Sequence, residues 1–350
     1  MEIVDILKMI APGTQIRAGI DNILNAKTGG LIVISDEKDI ENIMDGGFSI
    51  NIDFSPARLY ELAKMDGAII LSEDLKKILY ANVQLIPDYR IETEETGTRH
   101  RTAERVSRQT GKIVICISQR RGIITIYCGQ ERYVLKDTDK VMAKSNQALQ
   151  TAEKYRNVLD NKISILTEYE FNDIVTLDIV IDAIQRTEKV YRMSKEVQKS
   201  LYELGVEGRL LKMQLDEITY GIENEEQLII KDYISSKAKD EKAFEKIRNL
   251  SYEELMNSQT IANILGIKEN DNFKEITVYS RGYRILSKVP RMPQFIVDNV
   301  VEKFKTLQNI IMADIKELDN VDGIGEVRAK TIVQSLKRMR EQYVFEGIII

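Results

Sequence analysis

The chain has 350 residues, 43% hydrophobic and 30% charged, with a formal net charge of −5. That length suits two or three domains with ample core, and the composition is that of a globular protein rather than a disordered, fibrous or membrane-spanning one. The net charge carries no global nucleic-acid signal. One histidine and two cysteines without CxxC spacing, Cys116 and Cys128, argue against a disulfide framework or a zinc site.

The first residues, Met1-Glu2-Ile3-Val4-Asp5, lack the basic start of a signal peptide. No run approaches the roughly 18 apolar residues of a membrane span, so a cytoplasmic location is expected. Pro12-Gly13-Thr14 separates two helical stretches, and Gly29-Gly30 precedes the strand Leu31–Ile34. Ser55-Pro56 predicts an N-cap with proline at the first helical position, opening a helix to about Lys64. Strands are predicted at Ala68–Leu71, Ile78–Leu85, Ile113–Ile117, Ile123–Tyr127 and Tyr133–Leu135, the last two joined by a Gly129-Gln130 hairpin. Residues 1–138 thus read as an α/β domain with a mixed sheet. Cys116 and Cys128 fall in its strands and are expected to be reduced and buried.

Within this domain, Gly97-Thr98 reads as a turn into a helix that Thr110-Gly111 ends. Arg101, Arg105 and Arg108 follow at helical spacing on one face. Arginine forks and helix-start amides both suit phosphate, so Thr98–Thr102 reads as a phosphate cradle for a nucleotide. A solvated basic face is the alternative. Asp66-Gly67-Ala68 lies at a helix-to-strand junction, where Asp66 is placed to bind a divalent cation or orient a hydroxyl, and Gly67 to let a ligand approach the backbone. Ser118-Gln119-Arg120-Arg121 is polar and basic at a strand end. A common turn and a polar hairpin are the plainer readings of these two segments. Together with the cradle they make the minimum kit for metal-assisted phosphoryl or nucleotidyl transfer.

From about Asp139 the texture changes. Glycine is absent until Gly205 and proline between Pro87 and Pro290. Ala148, Ala152, Tyr155 and Leu159, and then Leu177, Ile181, Ile184 and Tyr191, keep helical spacing, so residues 139–285 read as an all-α spine, a spacer or oligomer scaffold. Residues 281–340 hold 12 Lys and Arg against 7 Asp and Glu, a local basic module on an acidic body. Residues 286–350 contain a weak repeat at an offset of 32, aligning Leu286–Pro293 with Leu318–Gly325. The second copy, Gly323-Ile324-Gly325 followed by Arg328, Ala329 and Lys330, resembles the helix-hairpin-helix DNA-binding motif. Its glycines would let amides approach a phosphate without reading sequence, with Ile324, Val327, Ile332 and Val333 available for a core. The first copy, with Pro290 and Pro293, is expected to support the pair structurally. A tight turn with no ligand is the alternative for the second.

Asp66-Gly67-Ala68, Ala81-Asn82-Val83-Gln84-Leu85, Gly97 through Arg105 and Ile117-Ser118-Gln119-Arg120-Arg121 resemble the diadenylate cyclase domain. With the helical middle and the C-terminal hairpin module, the whole chain resembles the DisA family of DNA integrity scanning proteins. The resemblance implies that two ATP condense to cyclic di-AMP with release of two pyrophosphates. It implies catalytic roles for Asp66, Arg99, His100 and Arg101, with Asp66 binding Mg²⁺ or Mn²⁺. Gly67 and Leu85 would border the adenosine, Thr98, Arg99, His100, Arg101 and Thr102 would hold phosphates, and Ser118 and Arg121 would complete the pocket. Gly323, Ile324, Gly325, Arg328 and Lys330 would contact branched DNA such as Holliday junctions. It further implies a homo-octamer, a nucleoid-associated location and a role in DNA-damage signalling. The alternative is an architectural protein that binds DNA junctions and whose N-terminal domain senses nucleotide without catalysis.

Overall fold

The computed structural model describes residues 3–235, 240–267 and 272–346. They fall into two compact units, Met1–Gln147 with Glu196–Gln214, and Ala148–Lys195 with Leu215–Ile350.

The first unit opens with α1 (Ile3–Met9) and α2 (Gln15–Asn25), followed by β1 (Gly30–Ile34), α3 (Glu37–Ile40), β2 (Met44–Asp45) and β3 (Phe48–Asp53). Then come α4 (Pro56–Leu62), β4 (Ala68–Leu71), β5 (Lys77–Leu85), α5 (Thr98–Thr110), β6 (Ile113–Ile117), β7 (Ile124–Cys128) and β8 (Glu131–Val134). The sheet runs β2-β5-β4-β1-β6-β7-β8, with β3 also on β5. Only β1 and β4 are parallel, so the sheet is mixed, as expected. Ser55 caps α4 by accepting from Arg58 N–H, with Pro56 at the first helical position. Gly129-Gln130 turns β7 into β8, pairing Cys128 with Glu131.

Strand alternation sorts side chains between two layers. Ile32, Ile34, Ile69, Leu71 and Ile115 pack with Ile6, Ile20, Ile23 and Leu59 from α1, α2 and α4. Leu31, Val33, Ile70, Val114 and Cys116 pack on the other face with Ala103 and Val106 of α5. Covering both faces is why β1, β4 and β6 are continuous apolar runs. The strands absent from the sequence reading, β2 and β3, lie on the exposed side of β5. Phe48 is 59% exposed and Asn51 takes a φ of +47°, so no apolar run announces them. Cys116 is buried and Cys128 half-buried, and both are free. Burial pushes the Cys116 thiol up to about 12.

The long helices α6 (Thr138–Asn172) and α7 (Leu177–Leu204) follow, then α8 (Arg209–Thr219), α9 (Ile222–Tyr233), α10 (Asp240–Arg248), α11 (Tyr252–Met256) and α12 (Ser258–Leu265). Ala152, Leu159, Leu177, Ile181 and Ile184 are buried as their spacing predicts, whereas Tyr155 is exposed. In the second unit, α6 and α7 pack against α9, α10 and α12 through Leu166, Ile181, Ile184, Ile229, Ile230, Ile247 and Ile261.

The last elements are α13 (Tyr283–Ser287), α14 (Gln294–Phe304), α15 (Leu307–Met312), α16 (Ile315–Asp319) and α17 (Glu326–Glu346). The bounds of α13 and α16, and the starts of α14 and α17, are displaced by the same 32 residues that relate the two sequence copies. Leu286 and Leu318, Val289 and Val321, and Val300 and Ile332 are therefore equivalent, and all are buried in one core. The first copy keeps the hairpin geometry despite its prolines. Arg291 adopts the left-handed φ of +59° where Gly323 has +82°. Pro293 sits at the N-cap of α14 with φ −62°, where its ring needs no N–H partner. Val327, expected as a core residue, is instead 80% exposed, because α17 turns Ala329 and Ile332 inward.

Candidate active site

The sheet register gathers the three sequence clusters at one edge. Gly30 pairs with Ile117, so β1 starts where β6 ends. Ile32 pairs with Ile69 in parallel, so β4 starts at the same edge, and Ala68 pairs with Val83 near the end of β5. Gly29, Asp66-Gly67, Leu85 and Ser118 are the residues at or just beyond those strand ends. Asp66 is exposed, and Leu85 is buried in the core shared with α5.

Gly67 has a φ of +93°, and a Cβ there would stand 2.8 Å from the Asn82 carbonyl carbon and 2.9 Å from the Val83 carbonyl oxygen. The neighbour on the Cβ side is β5 backbone. The pairing of β4 with β5 shifts register between Ala68 and Ile70, and Asn82 is left-handed at φ +54°. Gly67 therefore seats a bulge that carries Asp66 past the strand end.

Helix α5 brings the basic groups. Gly97 is its N-cap and offers no side-chain acceptor, and no acid lies in its first turn. Thr98 is exposed, and Arg99, His100 and Thr102 are half-buried. A Cβ on Gly29 would stand 2.6 Å from an Arg99 guanidinium nitrogen and 3.2 Å from Gln119 Cβ, so Arg99 lies across Gly29 at the gathered edge. Ser118 closes the β6–β7 turn: its N–H donates to Ile123 O, its carbonyl accepts from Gly122 N–H, and its hydroxyl accepts from Arg121 N–H at 3.3 Å. Arg121 is exposed on that turn.

Arg101 points elsewhere. Two residues along a helix turn a side chain by about 200°, and Arg101 lines an open cleft with Tyr89, Arg90, Ile91, Arg105 and Arg108. Two arginines of the face expected to cradle phosphate, Arg105 and Arg108, clamp the preceding loop. Arg105 donates to Ile91 O at 2.9 Å, and Arg108 to Glu92 O at 2.8 Å, while Arg108 also pairs with Glu104 at 2.6 Å.

His100 is held by residues the sequence reading missed. Its Nδ1 lies 3.0 Å from the Tyr127 hydroxyl, which donates to Glu95 at 2.8 Å, and Glu95 accepts from Arg132 Nε at 2.7 Å. Burial opposes the Glu95 charge, but the Tyr127 and Arg132 bonds outweigh it and hold the carboxyl below its usual range. Burial first, then the charges of Arg121, Arg132 and Arg99, depress His100 against the opposing pull of Glu95. The balance favours the neutral imidazole of His100. Because its folded pKa lies below 6.5, stability is unaffected above that value and falls as the pH drops through it. Imidazole proton resonances are expected to titrate below 6.5; a midpoint above it contradicts this placement. No local signal links His100 to Tyr127 and Arg132. Gly29 and Gln119 were legible only as strand punctuation and as part of a polar segment.

In the hairpin module, Gly323, Gly325, Arg328 and Lys330 are exposed. Arg328 donates to Gly323 O at 2.6 Å and Lys330 pairs with Glu326 at 2.6 Å. Ile324 is buried, as the core reading expected, and its N–H donates to Val321 O at 3.0 Å. It packs into the hairpin core between the two glycines. Phe295 and Val327, equivalent under the 32-residue repeat, are exposed apolar groups on the two hairpins, at 59% and 80%.

Two family models match the chain: the nucleotide-binding domain of the DisA bacterial checkpoint controller over residues 17–132, and its linker region over residues 135–274. Proteins named DNA integrity scanning protein DisA are similar along almost the whole length. That of Acetivibrio thermocellus is 53% identical over 347 residues, covering 99% of this chain and 96% of the relative. That of Clostridium botulinum strain Eklund 17B is 52% identical over 342 residues, covering 98% and 96%. That of Bacillus pumilus is 49% identical over 347 residues, covering 99% and 96%. With a nucleotide-binding domain, a linker and near-complete coverage, the chain belongs to the DisA family.

Proposed function

We propose that the protein is a diadenylate cyclase that condenses two ATP into cyclic di-AMP, regulated by DNA bound to its C-terminal hairpins. The observation that supports this most is the gathering of Asp66, the Gly29–Arg99 contact and Ser118–Arg121 at one sheet edge. Arg99, Arg121 and the uncapped first turn of α5 supply donors for phosphate. Asp66 is the acid at that edge, able to orient a ribose 3′-hydroxyl and take its proton. Each 3′-oxygen attacks the α-phosphorus of the other ATP, the α–β phosphoanhydride bond breaks, and pyrophosphate leaves. One domain holds one ATP, so two domains must face each other, and an octamer with the helices as its spine provides for this.

Among the described residues no group of three or more His, Cys, Asp or Glu is placed to hold a metal. One exposed carboxylate still fits Mg²⁺ or Mn²⁺, since magnesium is commonly held by one or two carboxylates together with substrate phosphates. When bound, such an ion would neutralise phosphate charge. Asp66 would be its protein ligand.

The functional modules on this reading are residues 1–138 for synthesis, 139–285 for the spine and 286–350 for branched DNA. Gly323, Gly325, Arg328 and Lys330 would hold backbone phosphates, with Ile324 setting the turn beneath them. No described helix is long and apolar enough to cross a membrane, and the protein would act in the cytoplasm at the nucleoid.

Incubation with ATP and Mn²⁺, followed by chromatography, is expected to yield cyclic di-AMP. ATP binding without product would favour a nucleotide-sensing, junction-binding architectural protein. Arg99→Ala is expected to weaken ATP binding about tenfold, since one charge-assisted bond contributes about 1.5–3 kcal/mol. Arg101→Ala is expected to cost less, because Arg101 faces the other cleft. Equal losses would place both at one phosphate group. Specific activity is expected to fall on dilution, as facing pairs separate; constant activity in a monomeric solution would contradict the paired site.

A further inference from the structure

Helices α13 and α16 are equivalent under the repeat, yet their N-termini are closed differently. Helix α16 caps itself. Asp314, at φ −80°, accepts from Glu317 N–H at 2.7 Å, and the Glu317 carboxylate accepts from Asp314 N–H at 2.9 Å. The equivalent residue before α13 is Gly282, at φ +102°, which has no side chain to cap with. The acceptor comes from α9 instead. Asp232 Oδ1 accepts from Gly282 and Tyr283 N–H at 2.8 and 2.7 Å, and its Oδ2 accepts from Arg284 N–H at 3.0 Å.

The tie runs in both directions. The Arg284 side chain, with 0% exposure, donates to Thr167 Oγ1 at 2.9 Å and to Glu170, both on α6, and to Glu225 on α9 at 3.1 Å. Beside Asp232, Lys231 pairs with Asp298 of α14 at 2.8 Å, and Arg281 donates to the Lys231 and Ile234 carbonyls. Tyr233 donates to Glu170 at 2.7 Å. A cap supplied by the residue just before a helix moves with that helix; a cap supplied by another helix does not. Moving α13 away from α9 would break three hydrogen bonds together and leave a buried carboxyl group without donors. Such a contact is either made or broken, whereas an apolar contact can slide.

We propose that Asp232 is a positioning residue, the joint through which DNA engaged by the hairpins acts on the linker helices α6 and α9. The inference rests on the DNA-regulated cyclase reading above. Its test uses the full-length protein, Asp232→Asn, branched DNA and ATP with Mn²⁺. The variant is expected to keep the basal rate and the DNA affinity of the wild type, while the change in synthesis on adding DNA shrinks about fivefold or more. Hydrogen exchange at the Gly282, Tyr283 and Arg284 amides is expected to quicken about tenfold, the loss of one such bond. A variant with quickened exchange and an undiminished DNA response overturns the inference and leaves the cyclase reading standing. A wild-type rate indifferent to bound DNA overturns the regulatory reading, and this inference with it. If the variant fails to fold or keeps its cap, exchange in the wild type decides. A DNA-induced change at those three amides supports the joint, and none overturns it.

Discussion

Asp66→Asn is expected to lower cyclic di-AMP formation by about 10²- to 10⁴-fold, the range a positioned acid–base group contributes, while ATP still binds. Asparagine keeps the size of the side chain but can neither take the 3′-hydroxyl proton nor offer a charged ligand to a metal. On the proposed reading, phosphate binding falls to other groups, Arg99 across Gly29 and Arg121 on the β6–β7 turn. Asp66 is exposed beyond the bulge that Gly67 seats, so the fold should be unaffected; surface changes of this kind stay within about 0.5 kcal/mol. Calorimetric ATP affinity and single-turnover product yield, measured on the same preparation, separate the two roles. Near-normal turnover removes Asp66 from the mechanism, and a parallel loss of ATP affinity makes it a binding residue.

Arg284→Met is expected to destabilise the second unit by about 3–5 kcal/mol, the usual cost of removing one partner from a buried ion pair. Methionine approximates the aliphatic stem, so the loss is mainly of charge. Glu170 has 0% side-chain exposure and would keep only the Tyr233 hydroxyl as a side-chain donor. Glu225 is 23% exposed and can turn toward water. Denaturant unfolding followed by hydrogen exchange in α9 and α13 reads the effect. A change under about 1 kcal/mol would mean that Glu170 is protonated or hydrated once Arg284 is gone.

Arg284 also shows where composition misleads. The basic excess of residues 281–340 counts Arg284 as charge available to a partner, yet it is spent inside the unit on Thr167, Glu170 and Glu225. Arg105 and Arg108 repeat the lesson in the first unit, holding the carbonyls of Ile91 and Glu92. Helical spacing states which arginines share a face. It does not state what that face meets.

What the sequence determined by itself was local. Apolar runs covered on both faces marked β1, β4 and β6, a serine–proline pair marked the start of α4, and Gly129-Gln130 marked a hairpin, because backbone sterics and hydrogen bonding act within a few residues. The 32-residue repeat was legible for the same reason, since equivalent apolar positions must fill equivalent places in the hairpin core. Tertiary structure decided the rest. Strand order set Asp66, Gly29 and Ser118 at one edge, though they lie far apart in sequence. The rotation of α5 separated Arg99 from Arg101. Tyr127 and Arg132 were brought to His100 and Glu95, and Asp232 to Gly282, across 50 residues in the latter case. Each of these is a pairing between elements, and its register depends on how whole faces pack, which no short window of sequence contains.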